Sequence, residues 1–102
     1  MAISIEAKSL EAKVEIHSAN ASKYLTVLCR HFARKVPSEW NETQGTVEFP
    51  VGTSRFAVNE QRDRLTIVCS ANTQEELDVQ KSIIEGHVHL FSRREKIGLE
   101  WQ

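Results

Sequence analysis

From Leu10 to Ile16 apolar and polar residues alternate, with Leu10, Ala12, Val14 and Ile16 on one side and Glu11, Lys13 and Glu15 on the other. A period of two is that of a half-buried β-strand. The period then lengthens. Across "HSANASKYLTVLCRHFARKV" the residues Ala21, Tyr24, Leu25, Leu28, Phe32 and Val36 recur at helical spacing. Asn20 is the expected N-cap, and the cations of the last turn complement the helix dipole. Pro37 closes the helix, because the residue before a proline disfavours the α region.

From Ser38 to Ala71 the period returns to two, in short runs separated by turn residues, which predicts four antiparallel strands in a meander. Gly45 and Gly52 sit where hairpin turns would need positive φ. Leu65, Ile67 and Cys69 share one face of the last strand. "TQEELDVQKSIIEGHVHLF" predicts the second helix. Thr73 and Glu76 form a capping box, and Leu77, Gln80, Ile83, Ile84, His87 and Phe91 make the apolar stripe. Gly86 weakens this helix by up to ~1 kcal/mol relative to alanine. Ile97, Leu99 and Trp101 alternate once more, which would suit a short C-terminal strand.

The predicted order is therefore β-α-β-β-β-β-α with that short strand at the end. Each strand offers one apolar face and each helix one apolar stripe. The expected class is α+β, an antiparallel sheet with both helices packed on one face. The opposite face is left to solvent or to a partner. The 102 residues are the length of one domain, 1–102, and a chain of this size buries roughly two-thirds of its unfolded surface.

Composition narrows the function classes. With 40% hydrophobic and 26% charged residues the chain reads as an ordinary globular protein. A net charge of −1 and no long basic run argue against nucleic acid as a partner. No apolar run approaches the ~20 residues that span a bilayer, so no membrane partner is expected. The N-terminus lacks the apolar segment of a secretory signal, and the expected location is the cytoplasm. The two cysteines, Cys29 and Cys69, are expected as free thiols.

Two strings suggest chemistry. "CRHFARK" holds a thiol, an imidazole, an aromatic ring and three cations; "EGHVHLF" holds two histidines. On a helix, residues two apart are separated by about 160°, so Cys29 and His31 cannot chelate one ion as a local pair. Cys29 is placed at one edge of the first apolar stripe and His31 at the other, near Tyr24 and Lys35. His87 falls in the middle of the second stripe and His89 faces outward. Three ligands, His31, His87 and Cys29, could still meet across the helix pair and hold a metal. Tyr24, His31 and Lys35 share one flank of the first helix within about 40° and form the best catalytic candidate, with His31 as acid or base. The basic cluster Ser92–Lys96, with Arg94, could hold an anion. No phosphate loop, serine elbow or H-E-x-x-H pattern occurs.

These residues also carry a resemblance. Tyr24, Leu25, Leu28, Cys29, His31, Phe32 and Lys35, then His87, Phe91, Arg94 and Glu95, and finally Trp101, resemble the pattern of the bacterial family known as domain of unknown function 2218. The family's second histidine in the first helix is Arg34 here, which removes one potential ligand. The resemblance implies a small stand-alone α+β protein, similar in outline to TATA-binding-protein-like or phosphohexomutase C-terminal folds. It brings no established activity and no expected cofactor, although some members lie beside iron-uptake genes.

Three functions follow as expectations. The first is a non-enzymatic binding or interaction module, whose open sheet face carries Glu11, Lys13, Glu15, Glu48 and Arg55; its partner would be a protein, a small molecule or a second copy in a homodimer. The second is an iron- or zinc-linked accessory protein using His31, His87 and Cys29. The third is a small enzyme with a site at Tyr24, His31 and Lys35.

Overall fold

The computed structural model describes residues 10–92, 95 and 97–102. Seven elements follow in the expected order: β1 (Leu10–His17), α1 (Ala21–Phe32), β2 (Ser38–Trp40), β3 (Gln44–Phe49), β4 (Gly52–Val58), β5 (Arg64–Ala71) and α2 (Gln74–Phe91). The five strands form one sheet of order β1-β5-β4-β3-β2 with every neighbouring pair antiparallel. The meander β2–β5 folds back so that its last strand pairs with the first. α1 therefore carries the chain from one edge of the sheet to the other.

Register follows the alternation. Ala12 lies opposite Cys69, Val14 opposite Ile67 and Ile16 opposite Leu65. Phe56 lies opposite Ile67 on the other side of β5. All of these side chains are buried, and directly opposed apolar pairs are the stabilising unit of a sheet. Both helices cover this face, with Leu25, Leu28, Cys29 and Phe32 of α1 and Leu77, Ile84 and Val88 of α2 completing the core. Glu11, Lys13, Glu48 and Arg55 stand exposed on the other face, as the alternation requires, and Glu15 is half-buried. Arg55 reaches across β5 to Glu11 at 3.4 Å.

Several local expectations change. α1 ends at Phe32, a turn short of Val36, and the chain turns through Ala33–Lys35 before Pro37. Asn20 occupies the N-cap position without a side-chain capping bond; Ser18 Oγ instead accepts from the Asn20 amide at 3.0 Å. Thr73 does cap α2, accepting from the Glu76 amide at 3.1 Å. Gly45 lies inside β3 rather than in a turn. Its missing side chain is needed for packing: a Cβ there would stand 2.8 Å from Cys29 Sγ. Gly52 does take positive φ, +146°, where a Cβ would run into the Ser70 carbonyl and Gln80 Nε2.

No C-terminal strand forms among the described residues. The tail instead makes one backbone bridge to the free edge of β1, with the Lys13 and Gln102 amides exchanging hydrogen bonds at 3.0 and 2.7 Å. Ile97, Leu99 and Trp101 still pack against the core, so their alternation reflects burial rather than a ladder. Trp101 Nε1 donates to Glu85 of α2 at 2.7 Å.

Candidate functional site

The two helices run antiparallel, since Tyr24 and Val27 of α1 meet the C-terminal end of α2 while His31 meets His87. Between the first end of α1 and the last turn of α2 lies a cleft of about 480 Å3. Val27, Leu90 and Phe91 form its apolar walls, and Asn20, Lys23, Tyr24, Ser92 and Glu95 its polar lining. Leu90 is 49% exposed, an unusual position for a leucine that serves only the core.

Glu95 is the hub. Its carboxylate accepts from the Tyr24 hydroxyl at 2.5 Å, from Ser18 Oγ at 2.9 Å and from Asn20 Nδ2 at 3.3 Å. These donors, Tyr24 first, hold the Glu95 carboxyl below its ordinary pKa; hydrogen bonds to the charged form favour it. Burial, followed by the bond and charge of Glu95, pushes the Tyr24 hydroxyl up to about 12. Tyr24 is thus a fixed donor near neutral pH, not a base. α1 has no acidic residue in its first turn; Glu95 brings a negative charge to that end, where the helix dipole favours it.

The structure brings His31 and His87 together and leaves Cys29 out of their cluster. The two imidazole centroids are 4.8 Å apart, and Phe32 and Phe91 close the cluster at 4.7 Å from His87 and 5.6 Å from His31. His87 Nδ1 donates to the Ile83 carbonyl at 2.8 Å, which directs the ring tautomer. Burial first, then His87, Arg34 and Lys35, hold His31 below the ordinary imidazole value. His87 is half-buried rather than central to its stripe; Gln80, Ile84 and Val88 occupy the buried line.

Cys29 is not an edge thiol. It is fully buried, seated in the space that Gly45 leaves free, and burial pushes its pKa up to about 12. That is the reverse of what a nucleophile needs. Lys35 lies beyond the end of α1 and is exposed, because the early helix stop removes it from the helical face on which spacing had placed it. The cleft therefore takes Tyr24 but neither His31 nor Lys35. Arg94 lies outside the described residues. Among the described residues no three His, Cys, Asp or Glu side chains cluster as metal ligands.

Sequence reasoning missed Glu95 as the organising carboxylate. Its only signal was its place in the family pattern after His87 and Phe91. The pairing with Tyr24 spans 71 residues and has no local trace.

Fold and cleft together define a small α+β protein of one antiparallel sheet and one helical layer. The chain belongs to the bacterial family described as "Uncharacterized protein conserved in bacteria", domain of unknown function 2218, which it matches over residues 11–102. The NMR structure of PA4090 from Pseudomonas aeruginosa is similar in fold, with a TM-score of 0.74 at 16% identity, covering 90% of this chain and 94% of that one. No curated protein matches the sequence. No helix among the described residues is long and apolar enough to cross a membrane.

Proposed function

We propose that this protein is a binding module whose ligand is a small amphipathic molecule held between α1 and α2. The observation that supports this reading is the cleft itself. An ionised, hydrogen-bonded carboxylate stands at one end, and the exposed Leu90 and the half-buried Val27 and Phe91 flank it. Concave sites with apolar walls and a few fixed polar groups are the usual form of small-molecule sites. The apolar body of the ligand would pack on Phe91 and Leu90, and a donor group would reach Glu95 Oε2, whose one protein partner among the described residues is Ser18. Binding rather than catalysis is favoured because Tyr24 is locked as a donor and His31 is engaged two helical turns away with His87. The test is a 1H–15N NMR titration with benzylamine and cyclohexylamine. Saturable shifts at Tyr24, Val27 and Leu90 that vanish in Val27→Trp, which fills the cleft, support the reading. Shifts scattered over the surface, or unchanged in that variant, would remove it.

A metal-linked role is a second reading, favoured by one feature. A histidine whose Nδ1 is fixed on a carbonyl leaves Nε2 for an ion, as ligating histidines commonly do, and His31 stands beside it. Elemental analysis of untagged protein, with His87→Ala as control, decides it: stoichiometric metal lost in the variant supports the role, and metal unchanged by the substitution removes it.

A further inference from the structure

A second concavity lies on the other flank of α1. It measures about 370 Å3 and is lined by Ser22, Lys23, Thr26, Val27 and Arg30 of α1, with Glu42 and Arg62 from the loops before β3 and β5; Lys23 and Val27 also border the first cleft. On the helix, Ser22, Thr26, Arg30 and Lys23 fall within about 100° of one another, so hydroxyls and cations share one face. Arg62 approaches from the β4–β5 turn. Its Nη1 lies 3.4 Å from Ser22 Oγ and its Nη2 3.5 Å from Glu42 Oε1. Three cations thus converge with one carboxylate in a chain whose net charge is −1. Arg30 and Lys23 make no ion pair or side-chain hydrogen bond among the described residues.

The backbone adds an independent observation. Arg62 has φ of 60°, the one positive-φ residue other than glycine among the described residues. It is the last residue of the Asn59–Arg62 turn, closed by the Arg62 amide on the Asn59 carbonyl at 3.0 Å. Glycine or asparagine takes this left-handed position at least cost, and a bulky residue held there points to use of its side chain. Here the conformation sends the guanidinium across the turn to α1.

We propose that this cleft binds the phosphate group of a small phosphorylated molecule. Arg30 and Arg62 offer planar forks that match phosphate oxygens, Lys23 adds a point charge, and Ser22 and Thr26 supply neutral donors. A concave wall concentrates the field of the three cations. A nucleic acid would need a longer basic track than this one cluster provides.

The test is an NMR titration with inorganic phosphate and phenyl phosphate, held at constant ionic strength against chloride. Saturable shifts at Ser22, Lys23, Thr26 and Arg62 are expected with both phosphates and not with chloride. Arg30→Gln, which breaks no ion pair or side-chain hydrogen bond among the described residues, should keep the melting temperature and weaken phosphate binding by about tenfold, the usual scale for one charge-assisted bond. Arg62→Gly should weaken binding similarly while holding or raising the melting temperature, since glycine relieves the turn. Equal response to chloride, or Arg30→Gln with unchanged affinity, overturns the site. So does an Arg62→Gly variant that melts earlier yet binds phosphate as before, which would make Arg62 a structural clip.

Discussion

The Tyr24 hydroxyl donates to Glu95 Oε1 at 2.5 Å and so ties the first turn of α1 to the segment beyond α2. Ser18 and Asn20 add their own donors to the same carboxylate. Removing the hydroxyl in Tyr24→Phe, or the charge in Glu95→Gln, should each lower the melting temperature by a few degrees. The double variant should lose little more than the worse single one, because both remove the same bond. Fully additive losses in thermal melts would show that the pair is not coupled.

Stability should fall at both ends of the pH scale. His31 is held below 6.5 and Glu95 below 4.5 in the folded state. The unfolded chain therefore binds more protons in acid, and stability present above 6.5 is lost as pH falls, first through His31 and then through Glu95. Tyr24 and Cys29 are raised to about 12 from 10.0 and 9.0. Their contribution is complete below pH 9 and is lost as pH rises from 9 towards 12. Thermal melts across pH should show a plateau between about 6.5 and 9. His31→Phe should flatten the upper part of the acid limb; an unchanged limb would dissociate it from His31.

Gly45 and Cys29 should behave as a packing pair. In Gly45→Ala the new Cβ would meet Cys29 Sγ at 2.8 Å, Trp40 Cβ at 3.1 Å and Leu25 Cδ1 at 3.2 Å. Overpacking of this kind costs about 1–3 kcal/mol. Adding Cys29→Ala should recover part of that loss, measured by urea denaturation, since it removes the nearest atom. No recovery would place the strain on Trp40 or Leu25 instead.

Gly86 offers a gain. It lies inside α2, and nothing stands within 4 Å of the Cβ it lacks. Gly86→Ala should stabilise the protein by about 0.5–1 kcal/mol through helix propensity alone. A loss in the same denaturation assay would mean that the glycine serves a contact of its own.

Thiol labelling checks the inert state of the cysteines. Both are fully buried and both have raised pKa values through burial. Maleimide at neutral pH should label neither in the folded protein and both in urea.

Periodicity alone determined the order of the seven elements and the buried faces of β1, β5 and α1. A two-residue alternation can bury only one side of β1 and β5, so Val14, Ile16, Leu65 and Ile67 were core before any coordinates. The helical spacing of Tyr24, Leu25 and Leu28 likewise set the face of α1, and the Thr73–Glu76 cap set the start of α2. Tertiary structure decided what lies far apart in sequence. β1 pairs with β5, Gly45 yields its space to Cys29, and Glu95 crosses 71 residues to Tyr24. A helical wheel gives angles on one helix and says nothing of the neighbour it will meet. It put Cys29 at an edge because the wheel does not contain β3, and it put Lys35 on a flank because it does not show where the helix stops. Arg62 went unread for the same reason: a cation in a turn looks solvated until the turn is seen to fold its side chain against α1.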